Sequence, residues 1–175
     1  MNTLVFVLNQ MLNFSIPLLI VALGGMFSVR SGVTNIGLDG IMVMGALCSI
    51  LFIRYTQDIF SGQLQLILAI LIALASGMLF SLLHAFASIT LKANQIISGQ
   101  ALNMLAPAFS IFLARILVGE SMIQFKNTFV IEEIPLLSKI PLIEPVLFQR
   151  VYLTTFLGFA VLAVSAFVIN KTRFG

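Results

Sequence analysis

The stretch LQLILAILIALASGMLFSLLHAFASITL, residues 64–91, decides the architecture. It contains no Asp, Glu, Lys or Arg, and the charge-free run around it reaches from Ile59 to Leu91, 33 residues. A helix needs about 20 mostly apolar residues to cross the hydrocarbon of a bilayer. This run exceeds that length, so it can cross with tilt. Its small residues Ser76, Gly77 and Ser81 let a neighbouring helix approach closely.

Outward from it, three more charge-free runs have the length of a span: Met1–Val29 (29 residues), Ala93–Ala114 (22) and Val151–Asn170 (20). The whole chain is 60% hydrophobic and 9% charged. A soluble domain carries about 25% charged residues, so this composition excludes a water-facing globule. The expected fold is all-α: a polytopic membrane helix bundle of about five spans, one of them short or broken. The spans are placed at about 4–27, 38–53, 64–91, 96–118 and 151–169, in a single transmembrane domain over 1–175. The first is read as a retained helix rather than a signal peptide, because MNTLVFVLNQ has no basic start and the apolar segment is too long.

The interruptions carry as much information as the spans. SVRSGVTNIGLDG, residues 28–40, is too apolar for an exposed loop and too rich in glycine for a regular helix. The charge-free piece after it, Gly40–Ile53, has only 14 residues. Irregular backbone at membrane depth is tolerated only where protein or a cavity surrounds it. Residues 119–150 form the longest polar connection. Within it, IPLLSKIPLIEPVLF (134–148) alternates proline with apolar residues, which suggests an extended or short-helical segment on the bilayer surface.

Charge also bounds the function. The net charge is +3, but the nine basic residues are scattered singly, which argues against nucleic acid as a partner. One cysteine and one histidine exclude an internal disulfide and a Cys/His metal site. No G-x-x-x-x-G-K-[ST] loop, Ser–His–Asp set or H-E-x-x-H is present. The residues therefore imply no catalytic site, no cofactor and no metal. Lys and Arg collect in cytoplasmic connections. Here they divide almost evenly between the two sides: Arg30, Lys92, Lys171 and Arg173 on one, Arg54, Arg115, Lys126, Lys139 and Arg150 on the other. The acids lie mostly with the second set, which points weakly to the first as cytoplasmic.

Three passages, in order, carry a family likeness: GGMFSVRSGVTNIGLDGIMVMGA (24–46), LKANQIISGQALNMLA (91–106) and IPLLSKIPLIEPVLF (134–148). They resemble the permease subunits of bacterial ABC importers for nucleosides, within the wider branched-chain amino acid and simple-sugar permease group. The resemblance covers roughly residue 10 to the end. It implies a helical bundle that pairs with a second permease subunit, ATP-binding subunits that hydrolyse the ATP, and a substrate-binding lipoprotein outside. It places the protein in the bacterial cytoplasmic membrane. Thr172, Arg173, Phe174 and Gly175 would begin the cytoplasmic coupling segment, so 119–150 would be the external loop and the N-terminus would lie outside. Such permeases are longer, so the chain reads as the N-terminal half of one and is expected not to transport alone.

The candidate pathway residues fall in the first two passages: Asn35, Gly37, Asp39 and Gly40, then Asn94, Gln95, Ser98, Gly99 and Asn103. Each has a plainer reading. Asp39 could face a cavity or pair with Arg30, but is better read as the N-cap of span two. The glycines could open a passage or merely allow close packing. The amides could bind a base or ribose, or bond neighbouring helices. His84, with Ser81 and Ser88 at helical spacing, is better read as a packed, hydrogen-bonded residue than as a proton relay. The alternative to a nucleoside permease is a structural or assembly membrane protein with no pathway. A simple sugar or a vitamin is the alternative solute.

Overall fold

A computed structural model of the chain describes residues 3–126, 128–133 and 149–172. It contains five helices long and apolar enough to cross a membrane. They are α1 (Thr3–Arg30), α2 (Leu38–Thr56), α3 (Gly62–Ala85), α4 (Gln95–Val118) and α5 (Leu153–Lys171). One π-helical turn, Phe86–Thr90, extends α3. Two short strands, β1 (Val130–Glu133) and β2 (Gln149–Tyr152), pair antiparallel with Val130 opposite Tyr152.

The observed ends correct several boundaries. The first helix continues three residues past Phe27 to Arg30, and Gly32, at φ +83°, then turns the chain where a side chain would be strained. The second helix is unbroken. It begins at Leu38 and passes Arg54 to end at Thr56. The third span is not one α-helix to Leu91, because its last turn widens at Phe86–Thr90. The fifth begins at Leu153 and not Val151, because Val151 and Tyr152 are paired into β2. The expectation for 134–148 lies outside the described residues.

The chain forms two compact units, Gly25–Thr128 and Met1–Gly24 with Phe129–Gly175. In the first, α2 is the middle element and packs on both α3 and α4. Small residues set the spacing. A Cβ on Gly45 would come within 3.1 Å of the Ala73 carbonyl oxygen, and one on Gly77 within 3.5 Å of Ile41. The C-terminus of α2 is closed from outside the helix. Gln65 of α3 is fully buried, and its Nε2 donates to the Ile53 carbonyl (3.1 Å) and to Thr56 Oγ1 (3.1 Å). The Ile53 carbonyl is one of the last-turn backbone acceptors of α2, and Thr56 Oγ1 in turn donates to the Phe52 carbonyl. In the second unit, α1 and α5 meet through Asn13 and Thr155, with Thr155 Oγ1 donating to Asn13 Oδ1 (3.4 Å). Asn13 Nδ2 donates to Asn9 Oδ1 (3.0 Å), so a polar ladder runs up α1. Gly158 leaves room for the Ile16 side chain, which a Cβ would strike.

Candidate functional site

Between α1 and α2 the backbone leaves the helix for residues 31–37 and runs beside α4. Ser28, still in α1, holds its start. Its Oγ donates to the Val33 carbonyl (2.5 Å) and accepts from the Asn35 N–H (3.2 Å). Asn35 then closes a local turn, its Oδ1 accepting from the Gly37 N–H at 2.9 Å.

Two α4 side chains take three more backbone groups. Gln95 Oε1 accepts from the Thr34 N–H at 2.8 Å. Asn103 bridges, its Nδ2 donating to the Ile36 carbonyl and its Oδ1 accepting from the Gly40 N–H, each at 2.8 Å. These contacts need the backbones to touch. A Cβ on Gly99 would lie 2.8 Å from the Gly37 nitrogen, and one on Gly40 would lie 2.6 Å from the Leu102 carbonyl oxygen.

The partners fix the geometry. Thr34 meets the first residue of α4, and Gly40 meets a residue two turns on. Eight residues of helix correspond to about 12 Å. The start of α2 is therefore drawn one to two turns below the start of α4, and α2, at 19 residues, is shorter than α3 and α4, at 24 each.

Seven of the nine candidates, Asn35, Gly37, Asp39, Gly40, Gln95, Gly99 and Asn103, lie in this clasp. Asn94 and Ser98 stand beside it on α4. Gly37, Gly40 and Gly99 are buried, Asn35, Gln95, Ser98 and Asn103 half-buried, and Asp39 and Asn94 exposed.

The preferred reading of Asp39 is corrected. The N-cap of α2 is Gly37, with no side-chain cap bond, and Asp39 sits in the first turn. Its carboxylate pairs neither with Arg30 nor with any other described residue. The backbone turns from φ −76° at Gly37 directly into helix, so the carboxylate stands two positions past the cap, inside the first turn. The side-chain cap belongs instead to α4, where Asn94 Oδ1 accepts from the N–H groups of Ile96 (2.9 Å) and Ile97 (3.3 Å).

His84 is buried, 2% exposed, as a packed residue should be. Its Nδ1 lies 3.1 Å from Ser98 Oγ, while Nε2 has no hydrogen-bond partner among the described residues. Ser81 and Ser88 do not relay to the ring, because their hydroxyls donate to the carbonyls of Met78 and His84. The π-helical turn that follows had no signal in the sequence, since FASIT is unremarkable for a helix.

Residues 7–175 match the family model described as the permease component of the branched-chain amino acid transport system. The chain belongs to this permease family. It is 40% identical over 174 residues to the nucleoside ABC transporter permease protein NupC of Lactococcus lactis, covering 99% of this chain and 55% of that one. It is 41% identical over 164 residues to the guanosine ABC transporter permease protein NupQ of Bacillus subtilis, covering 93% of this chain and 51% of that one. A putative glucose ABC transporter permease protein of Haloferax volcanii is 34% identical over 118 residues, 67% of this chain and 34% of that one. The permease chain thus spans about half the length of the first two curated relatives. No solved structure matches it.

Proposed function

We propose that the complete protein is the membrane-spanning permease subunit of an ATP-driven importer for nucleosides or similar small solutes. The observation that carries this reading is the clasp: irregular backbone held one to two turns down α4, with an unpaired carboxylate at its edge. A carboxylate in the first turn complements the helix dipole, but an exposed one near lipid is expensive unless water or a partner meets it. The nucleoside assignment is supported by likeness over nearly the whole chain to relatives named for nucleosides and guanosine, against two thirds for the one named for glucose.

In this reading Asp39, Asn35 and Gln95 face the solute path. Gly37, Gly40, Gly99 and Asn103 hold its wall in shape. Asn94 and Ser98, which stand beside the clasp on α4, support that wall. The chain works with a second permease subunit, ATP-binding subunits and a substrate-binding lipoprotein, and moves no solute without them. Its first helix starts outside the cell. Residues 119–150 form an external loop, and Thr172, the C-cap of α5, opens the cytoplasmic coupling segment that continues through Arg173, Phe174 and Gly175, which lie outside the described residues.

The test is uptake of labelled guanosine into vesicles holding the complete permease with its ATP-binding subunits and lipoprotein. Uptake should require ATP and be abolished by excess unlabelled nucleoside. Uptake displaced equally by glucose would reassign the solute, and none under any substrate would remove the transport reading.

A further inference from the structure

An open groove of about 520 Å³ runs between the end of α3 and the first three turns of α4. Leu83 and Ala87 form one wall, and Ile97, Ala101 and Leu105 the other. The α4 residues recur every three or four positions, so the groove follows the helix lengthwise. From Asn94 to Leu105 it is about 16 Å long at 1.5 Å per residue. Its walls are apolar, and alanines recess it.

Apart from Ser98, whose hydroxyl is engaged by His84 Nδ1, only one end is polar. Ala93 and Asn94 close the groove there, and Lys92 directly precedes them. Lys92 is exposed, and it is the one non-glycine residue at positive φ among those described, 51°. Asn94 spends its oxygen on the cap of α4, while its Nδ2 donors have no partner among the described residues. No acidic residue occurs between Ile59 and Gly119, so nothing along α3 or α4 neutralises this end.

We propose that this groove binds one anionic phospholipid, its acyl chain along α4 and its phosphate on Lys92 Nζ and Asn94 Nδ2. Long and narrow apolar walls suit an acyl chain, and the unopposed cation and free amide suit a phosphate at the bilayer surface. In the proposed orientation this end is cytoplasmic, where basic pockets between helices receive anionic headgroups. The site does not depend on which solute is carried, or on whether any is.

The test is native mass spectrometry of the chain equilibrated with equal amounts of phosphatidylglycerol and phosphatidylcholine bearing the same acyl chains. A single lysine at an anionic headgroup corresponds to about fivefold preference for phosphatidylglycerol. Lys92→Gln should bring the ratio to parity. Ala101→Phe should fill the groove and remove most retained lipid, while Ala163→Phe, on the exposed side of α5, should leave retention unchanged. Equal retention of both lipids by the natural chain overturns the site, as does a preference that survives Lys92→Gln. If Ala101→Phe leaves lipid retention intact but separates the chain from the rest of its transporter, the groove takes polypeptide and the proposal fails. Should Ala101→Phe not fold, Lys92→Gln decides alone.

Discussion

Asn103 shows how one side chain can fix a backbone that neither helix nor sheet would hold. Its amide fills both sides of a gap, one donor to Ile36 and one acceptor for Gly40. Asn103→Leu keeps the bulk and removes both bonds. Leaving part-buried backbone groups unpaired costs about 1–3 kcal/mol, so the melting temperature in detergent should fall. Gly40 makes the same case by shape. Gly40→Ala drives a methyl into the Leu102 carbonyl, whereas Gly24→Ala in exposed α1 meets nothing within 4 Å. The first should destabilise, and the second should be neutral or stabilising by up to about 1 kcal/mol, the helix preference for Ala over Gly. Opposite signs in thermal unfolding check the pair. Polar residues at 35, 95 and 103 stood out in the sequence because amides are rare in apolar runs. What they bond could not be read there, since every partner but one is a backbone group more than 60 positions away. Asp39 misled for a local reason: an acid beside a glycine signals a cap, but the helix starts at Leu38, two residues sooner than that cap requires.

At the scale of elements, each helix end needs a partner for its unpaired groups, and here a neighbouring helix often supplies it. Gln65 completes the C-terminus of α2, so Gln65→Leu should loosen α2 rather than α3. Amide hydrogen exchange should rise over residues 53–60 with little change over 70–83. Gly158 and Ile16 test the packing of α1 on α5. Gly158→Ala should destabilise by about 1–3 kcal/mol through overpacking, and Ile16→Ala should recover part of the loss when combined with it. A double-mutant cycle with no coupling would contradict that contact. The spans themselves were legible, because a gap in charge marks a helix in lipid regardless of its neighbours. The π-helical turn and the β1–β2 pair were not. The turn follows His84, whose ring meets Ser98 of α4 and whose carbonyl takes the Ser88 hydroxyl, and the strands are four residues each, too short for a repeating pattern.

For the molecule as a whole, apolar length, family membership and the clasp bear on different links of one argument. Apolar length makes the chain a membrane protein. Its family makes it a permease component. The clasp is where a passage would need irregular backbone, with α2 beginning one to two turns below the start of α4. The central claim is that Asp39 faces water within the complete transporter. The direct measurement replaces Cys48 with Ala, places a single cysteine at Asp39, and scores its reaction with a water-soluble, membrane-impermeant thiol reagent in the assembled complex. A cysteine at Leu71, on the exposed apolar face of α3, serves as the lipid-facing comparison. The account predicts rapid labelling at position 39, slowed by saturating nucleoside, and almost none at position 71. Equal resistance at both positions, or labelling at 39 that nucleoside leaves untouched, would contradict it.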